Sequence, residues 1–94
     1  MIRVLIERWL LRDMDDSFRA VMREMRREAL YAPGYIGGEP LRDVAAPSHY
    51  VVISTWRSQA DWDTWAVSAA RDIMRDRIRP MLAEEERTTV LEPV

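Results

Sequence analysis

Few side chains in this sequence are suited to chemistry. The 94 residues include a single histidine, His49, and no cysteine. The missing cysteine excludes disulfides, thiolate metal sites and cysteine nucleophiles. An imidazole can act as a general base near neutral pH. His49, however, falls where a predicted turn meets a strand, a position at which a solvated or capping histidine is more common. The candidates that remain are tryptophan, arginine and the carboxylates.

Tryptophan supplies four of the eight aromatic residues: Trp9, Trp56, Trp62 and Trp65. Each indole can bury up to ~250 Å², an area that a small domain needs for its core or for a dimer interface. Together with methionines such as Met22, the indoles could instead line a flat, polarizable pocket for a planar ligand. Both interpretations stay open at the level of sequence.

Arginine accounts for all 14 basic residues, against 16 acidic ones. Arginine without a net positive charge is typical of ion pairing and planar recognition. Arg8 shares one face of a predicted strand with Ile6 and Leu10, so burial of that face requires a partner or a ligand anion. The alternatives are an ion pair, with Glu7 or with an acidic residue of a partner chain, and an anionic ligand oxygen. Arg75 faces the same choice, but we expect it on a helix surface.

Several ligand classes are disfavoured. The sequential run Glu84 to Glu86 would point in different directions on a regular element, so we expect no metal site. The glycines lack the spacing of a phosphate-binding loop. A net charge of −2 argues against a nucleic-acid or anionic membrane surface. We expect no nucleic acid and no membrane as partner and, since no targeting segment is visible, a cytoplasmic protein.

Periodicity predicts six elements within one domain, residues 1–94. Alternating and β-branched runs indicate strands, apolar spacings of three and four indicate an amphipathic helix, and Ser58 with Asp61 resembles a capping box. The predicted order is strand Ile2 to Leu11, helix 14–30, strands Tyr35 to Arg42 and His49 to Trp56, a helix from Ser58 continued by Arg71 to Arg79, and strand Thr88 to Leu91.

This order, β-α-β-β-α-β, predicts an α+β ferredoxin-like protomer with both helices on one face of an antiparallel sheet. Both alternate faces of the first strand are apolar, one containing Ile2, Val4 and Ile6 and the other Leu5 and Trp9. The uncovered face would therefore be a large apolar patch. We expect a second copy to cover it, which gives an isologous homodimer.

Three segments resemble the antibiotic biosynthesis monooxygenase (ABM) family: Pro33-Gly-Tyr-Ile-Gly-Gly-Glu39, Tyr50-Val-Val-Ile-Ser-Thr-Trp-Arg-Ser58, and Asp61-Trp62 with Trp65. The resemblance implies a ferredoxin-like protomer, a dimeric α+β barrel and a pocket between the sheet and its helices. It also implies that Trp56 corresponds to a tryptophan that shapes the site of quinone-forming members, which oxygenate phenols without metal or flavin.

Other family positions differ. Val52 replaces the asparagine of the quinone-forming members and Trp62 replaces their tyrosine. In haem-degrading members a tryptophan like Trp65 lies against the porphyrin, but Arg75 stands where their iron-ligating histidine would be. We therefore expect no haem and no other cofactor.

The resulting hypothesis is a homodimer that binds a small aromatic or planar molecule, with cofactor-independent monooxygenation as the candidate reaction. Trp56 and Arg8 would be the catalytic residues, Arg8 by holding an anionic oxygen. The substrate-binding residues would be Trp62, Trp65, Trp9 and Met22. The alternative is a non-catalytic ligand-binding or scaffold homodimer of the same fold.

Overall fold

The computed structural model describes residues 1–94 as four strands and three helices. These elements are β1 (Ile2–Trp9), α1 (Asp15–Ala29), β2 (Tyr35–Arg42), β3 (His49–Trp56), α2 (Gln59–Ala66), α3 (Ala69–Ile78) and β4 (Arg87–Leu91), with a 3-10 turn at Arg79–Met81. The bounds of β2 and β3 are those predicted. β1 ends at Trp9 instead of Leu11, because Leu10 forms only an isolated bridge, with Leu82.

The sheet is antiparallel, with strand order β2-β3-β1-β4. The chain thus pairs its first strand with both its third and its last, which is the ferredoxin-like α+β arrangement expected from the element order. A register shift between Tyr35 and Gly37 interrupts β2, near the glycines where an irregularity was predicted.

The inner face of the sheet is the one that carries Ile2, Val4, Ile6 and Arg8 of β1, all of them buried. The helices cover this face, and α1 contributes the buried stripe Phe18, Val21, Met25 and Ala29. Successive side chains of a strand point to opposite faces, so Leu5 and Trp9 lie on the open face. The sequence did not determine which of the two apolar faces of β1 is buried. The structure shows that it is the face with Ile2, Val4 and Ile6.

The turn after α1 packs against the start of α2. Gly34 adopts φ of 81°, and a Cβ at this position would overlap the side chain of Asp61. The backbone N–H of Asp61 in turn donates to the Ser58 hydroxyl at 3.2 Å, the expected N-cap. Only glycine satisfies both the left-handed backbone and the close approach. None of the helices combines the length and apolar character needed to cross a membrane.

Candidate functional site

A cavity of about 420 Å³ lies between α1 and the inner face of β1, β2 and β3. Most of its wall is apolar. The apolar wall residues include Ile6, Phe18, Met22, Met25, Pro40, Val52, Trp56 and Trp65. The volume is within the ~300–1,000 Å³ of typical small-molecule sites. The size and the apolar wall of this space are thus those of a typical small-molecule site.

Four of the six residues proposed for the site contribute to the cavity wall: Arg8, Met22, Trp56 and Trp65. Trp62 is buried against Trp56, with ring centroids 5.6 Å apart, but it is not a wall residue. Trp9 lies on the open face of the sheet, because strand alternation separates it from its neighbour Arg8. The structure does not bring Trp9 or Trp62 into the cavity wall.

Trp56 is held from several sides. Its side chain is 1% exposed, and its indole N–H donates to the Ser54 hydroxyl at 3.0 Å. Trp65 stacks on it with centroids 6.3 Å apart and ring planes 28° apart, while the Tyr35 ring meets it edge-on at 5.2 Å. A ring fixed by packing and by a hydrogen bond gives the cavity a rigid aromatic end.

Tyr35 also brings a hydroxyl to the wall beside Gly38. A Cβ on Gly38 would lie 2.8 Å from that hydroxyl, so glycine leaves room for it. Burial raises the pKa of the Tyr35 phenol, and the nearby Arg26 opposes the shift. Tyr35 is therefore protonated at neutral pH and can donate a hydrogen bond into the cavity.

Arg8 is the buried charge of the wall, with 1% of the side chain exposed. Its Nε donates to Glu86 Oε2 at 2.7 Å, and its Nη1 lies 3.5 Å from Met22 Sδ. Its Nη2 has no partner. Burial lowers the pKa of Arg8 and the ion pair with Glu86 opposes this, but a guanidinium stays protonated at neutral pH. Arg8 thus has an unpartnered, charged donor that is itself buried.

Glu86 holds three guanidinium groups. Its Oε1 lies 3.4 Å from Arg71 Nη2 and 3.2 Å from Arg75 Nε, while Oε2 faces Arg8. Arg71 is buried over the Trp62 ring, and burial lowers the pKa of Arg71 to about 10 although Glu86 opposes the shift. We call Glu86 with Arg8, Arg71 and Arg75 the Glu86 cluster. It contains three cations and one carboxylate.

The partner of Arg8 differs from the expected one. Glu7, which precedes Arg8 in the chain, points to the open face, so the ion pair forms with Glu86. Arg75 is about one-third exposed and is paired with Glu86, whereas a solvated surface position was expected. Strand alternation places Glu86 only once the register of β1 and β4 is known, so the sequence alone contained no signal for this partner. Since Arg87 aligns with Glu7, the residue before Arg87 falls on the inner face, beside Arg8.

His49 lies on the open face, remote from the cavity wall. Its Nδ1 is 3.1 Å from Asp43 Oδ2 and its Nε2 is 3.1 Å from Glu7 Oε2. The ring stacks on Trp9 with centroids 4.7 Å apart and planes 3° apart. His49 therefore has no route to act as a base on a ligand in the cavity. No group of three or more histidine and acidic side chains converges as metal ligands would.

The model of the antibiotic biosynthesis monooxygenase family matches residues 1–76. The chain belongs to this family. Solved structures with similar folds include those of ABM proteins, and a search among curated protein sequences finds no match.

Three similar structures illustrate the likeness of fold. A conserved protein from Methanosarcina mazei has a TM-score of 0.93 at 15% identity, over 99% of this chain and 92% of its own. Rv0793 from Mycobacterium tuberculosis has a TM-score of 0.88 at 18% identity, over 99% and 94%. SnoaB, a cofactor-independent oxygenase from Streptomyces nogalater, has a TM-score of 0.85 at 13% identity, over 99% and 93%.

The ABM motif positions can now be placed in space. Val52, at the position of the asparagine of quinone-forming members, lies in the cavity wall and makes that part of the wall apolar. Arg75, at the position of the haem-ligating histidine, pairs with Glu86 and is not a wall residue. The residues present therefore do not fit a haem. Glu86 itself lies beyond the 76 residues that the ABM model matches.

Proposed function

We propose that this ABM protein binds a small aromatic or otherwise planar molecule in the cavity between α1 and the sheet. The supporting observation is a space of about 420 Å³ that Trp56 and Trp65 border at one end and Met22 and Phe18 border from α1. Aromatic faces and a thioether favour a flat, polarizable ligand. Among the polar groups of the wall, the hydroxyl of Tyr35 and the unpartnered, buried donor of Arg8 would orient it.

The candidate reaction is cofactor-independent monooxygenation of that ligand. In such a reaction the ring methylene of an anthrone becomes a carbonyl, or a hydroquinone becomes a hydroxyquinone. In both cases one atom of O₂ enters the product and the other leaves as water with two hydrogens of the substrate. The ligand must pass through an anion rich enough in electrons to reduce O₂. Arg8 would hold the anionic oxygen, because a preorganised cation in a dry site stabilises developing charge. Trp56 would set the orientation of the ring.

Oxygen uptake tests this proposal directly. A panel of hydroquinones and anthrones is mixed with the protein in an oxygen electrode, and ligand binding is followed in parallel by quenching of tryptophan fluorescence. We expect saturable uptake above the buffer rate, with a lower kcat in Arg8→Met. Trp9→Phe, on the open face, is the matched control and should leave uptake unchanged. Binding without uptake across the whole panel would refute the oxygenase and retain the ligand site.

A second candidate is a non-catalytic ligand-binding or scaffold protein of the same fold. Two observations favour it: Val52 makes the wall apolar where active relatives carry an amide, and the wall contains no carboxylate or imidazole. Without a base, the cavity has no evident group to remove a proton from a neutral phenol. Binding without oxygen uptake in the experiment above is the result that this candidate predicts.

We further propose that a second copy covers the open face to form a homodimer. This face carries Leu5 and Ile53 at its centre and Leu41 and Leu91 on the outer strands. Analytical ultracentrifugation should give the mass of a dimer. Ile53→Arg should give a monomer, while Val67→Arg, at an exposed position beyond α2, should remain dimeric. A monomeric native protein at micromolar concentration would refute the homodimer.

A further inference from the structure

The cavity wall has an unusual charge composition. It contains five arginines and no aspartate, glutamate or histidine: Arg8, Arg19, Arg23, Arg26 and Arg42. The chain as a whole is slightly acidic, with a net charge of −2. Positive charge is therefore concentrated at this cavity against the overall balance. Such a local excess attracts anions and raises their rate of association.

The ion pair with Glu86 fixes the Arg8 guanidinium and leaves both of its terminal amino groups without a carboxylate partner. Glu86 occupies only the Nε of Arg8 and directs its other oxygen to Arg71 and Arg75. The two terminal amino groups of Arg8 keep a thioether contact with Met22 on one side and no partner on the other. A buried guanidinium with an unmet donor is costly until an acceptor arrives. The terminal pair has the geometry that binds two oxygens of one carboxylate, and because Nη2 is itself buried, a carboxylate reaches the pair only when Met22 or another neighbouring side chain moves aside.

The rim of the cavity is also cationic. Arg19 donates to the Tyr50 hydroxyl at 3.3 Å and Arg26 to the carbonyl oxygen of Gly38 at 3.4 Å. Asp15 accepts from that same Tyr50 hydroxyl at 3.3 Å but is not a wall residue. None of the four rim arginines forms an ion pair with a carboxylate. Their charges remain available to a ligand that approaches from solvent.

We infer that the ligand of this cavity is an aromatic or planar acid that enters as an anion at neutral pH, with its carboxylate or equally acidic group held by the terminal amino groups of Arg8. Glu86 is the positioning residue for Arg8. This inference rests on the proposed ligand cavity and specifies the class of ligand. Such a ligand is already charged when it enters, so its binding, as distinct from any oxygenation, needs no base in the wall.

A matched pair of probes tests the inference: 2-naphthoate and 2-naphthamide, which share ring and shape but differ in charge. Their dissociation constants are measured at pH 7 by tryptophan fluorescence and by calorimetry. We expect 2-naphthoate to bind at least about tenfold more tightly, since hydrogen bonds to charged groups are the strong ones. Equal binding of the two probes would refute the charge requirement and leave the proposed cavity intact. Binding of neither would refute both.

Variants assign the preference to the cluster. Arg8→Met should bring the dissociation constants of 2-naphthoate and 2-naphthamide close to each other. Arg79→Met, which replaces an exposed arginine paired with Asp76, should leave their ratio as in the native protein. Glu86→Gln should reduce the ratio and Glu86→Asp should restore part of it, a readout that a merely structural role of Glu86 would not move. Should Arg8→Met fail to fold, the double variant Arg23→Gln with Arg42→Gln on the rim should reduce the ratio. An unchanged ratio in a folded Arg8→Met would refute the assignment to Arg8.

Discussion

The two faces of the sheet use the same kinds of groups in opposite environments. On the inner face Arg8 and Glu86 pair with side chains that are 1% and 7% exposed. On the open face His49 lies between Glu7 and Asp43, and the His49–Glu7 pair is 17% and 19% exposed. Both clusters lie beside aromatic rings and both use β1. They differ in how far water is excluded.

That difference decides what each cluster can do. Removal of charges from water costs several kcal/mol per ion, and a buried cluster must recover this through its own contacts or through a ligand. The Glu86 cluster recovers it incompletely, because Arg8 Nη2 and Arg71 Nε have no partners. On the open face of the single chain water and salt screen the charges, so each pair contributes little there. An excess of cations therefore indicates an anionic ligand more strongly on the inner face than on the open face.

The largest expected contrast comes from the two tryptophans that β3 and β1 place on opposite faces. Trp56→Ala should lower the free energy of unfolding by about 3–5 kcal/mol, because the buried ring leaves a cavity. Trp9→Ala should cost about 0.5–1.5 kcal/mol, mainly through its stack with His49. Urea unfolding followed by circular dichroism measures both, and equal losses in a monomeric sample would contradict the contrast.

The second-largest loss of stability is expected on removal of the carboxylate charge of the Glu86 cluster. Glu86→Gln should destabilise the fold by about 3 kcal/mol, because it leaves three guanidinium groups without a counter-charge. Glu84→Gln, two residues earlier and exposed, should stay within about 0.5 kcal/mol of the native protein. Thermal unfolding at pH 7 compares the two variants. A similar small change in both would show that Glu86 does not hold the cluster together.

The smallest effect is expected at Asp43 on the open face, and it should depend on pH. The hydrogen bond with His49, followed by that from the backbone N–H of Ala45, lowers the pKa of Asp43. The ionised carboxylate is thus favoured in the folded state, so its contribution is present above the unfolded pKa of ~3.9 and is lost as pH falls through the lower folded value. Asp43→Asn should therefore lower Tm at pH 5, and the difference should close towards pH 2–3.

The control for Asp43 is Asp63→Asn, an exposed position on α2. Its Tm difference from the native protein should be small at both pH values. A gap for Asp43→Asn that stays constant from pH 5 to pH 2 would show that the substitution acts through packing, without the carboxylate charge.

Local features of the fold were accessible from the sequence because local rules govern them. The bounds of β3 follow from a run of β-branched and aromatic residues, and those of β2 from the Ala32-Pro33-Gly34 stop before it and the turn that begins at Asp43. The cap at Ser58 follows from its spacing to Asp61. The inward position of Arg8 followed from strand alternation once the face was known. Its partner, 78 residues away, did not follow: the predicted partners were Glu7, an acidic residue of a partner chain or a ligand anion, because the register of β1 with β4 was not known.

The sequence by itself determined the order of the elements, the alternation along each strand and the family, since all three depend on spacing and motifs along the chain. The tertiary structure alone decided which face of β1 is buried, because both faces are apolar and only the packing of α1 distinguishes them. It also decided that Arg8 meets Glu86 and that Trp9 lies away from Trp56. Those contacts depend on the register of distant strands, which no local spacing encodes.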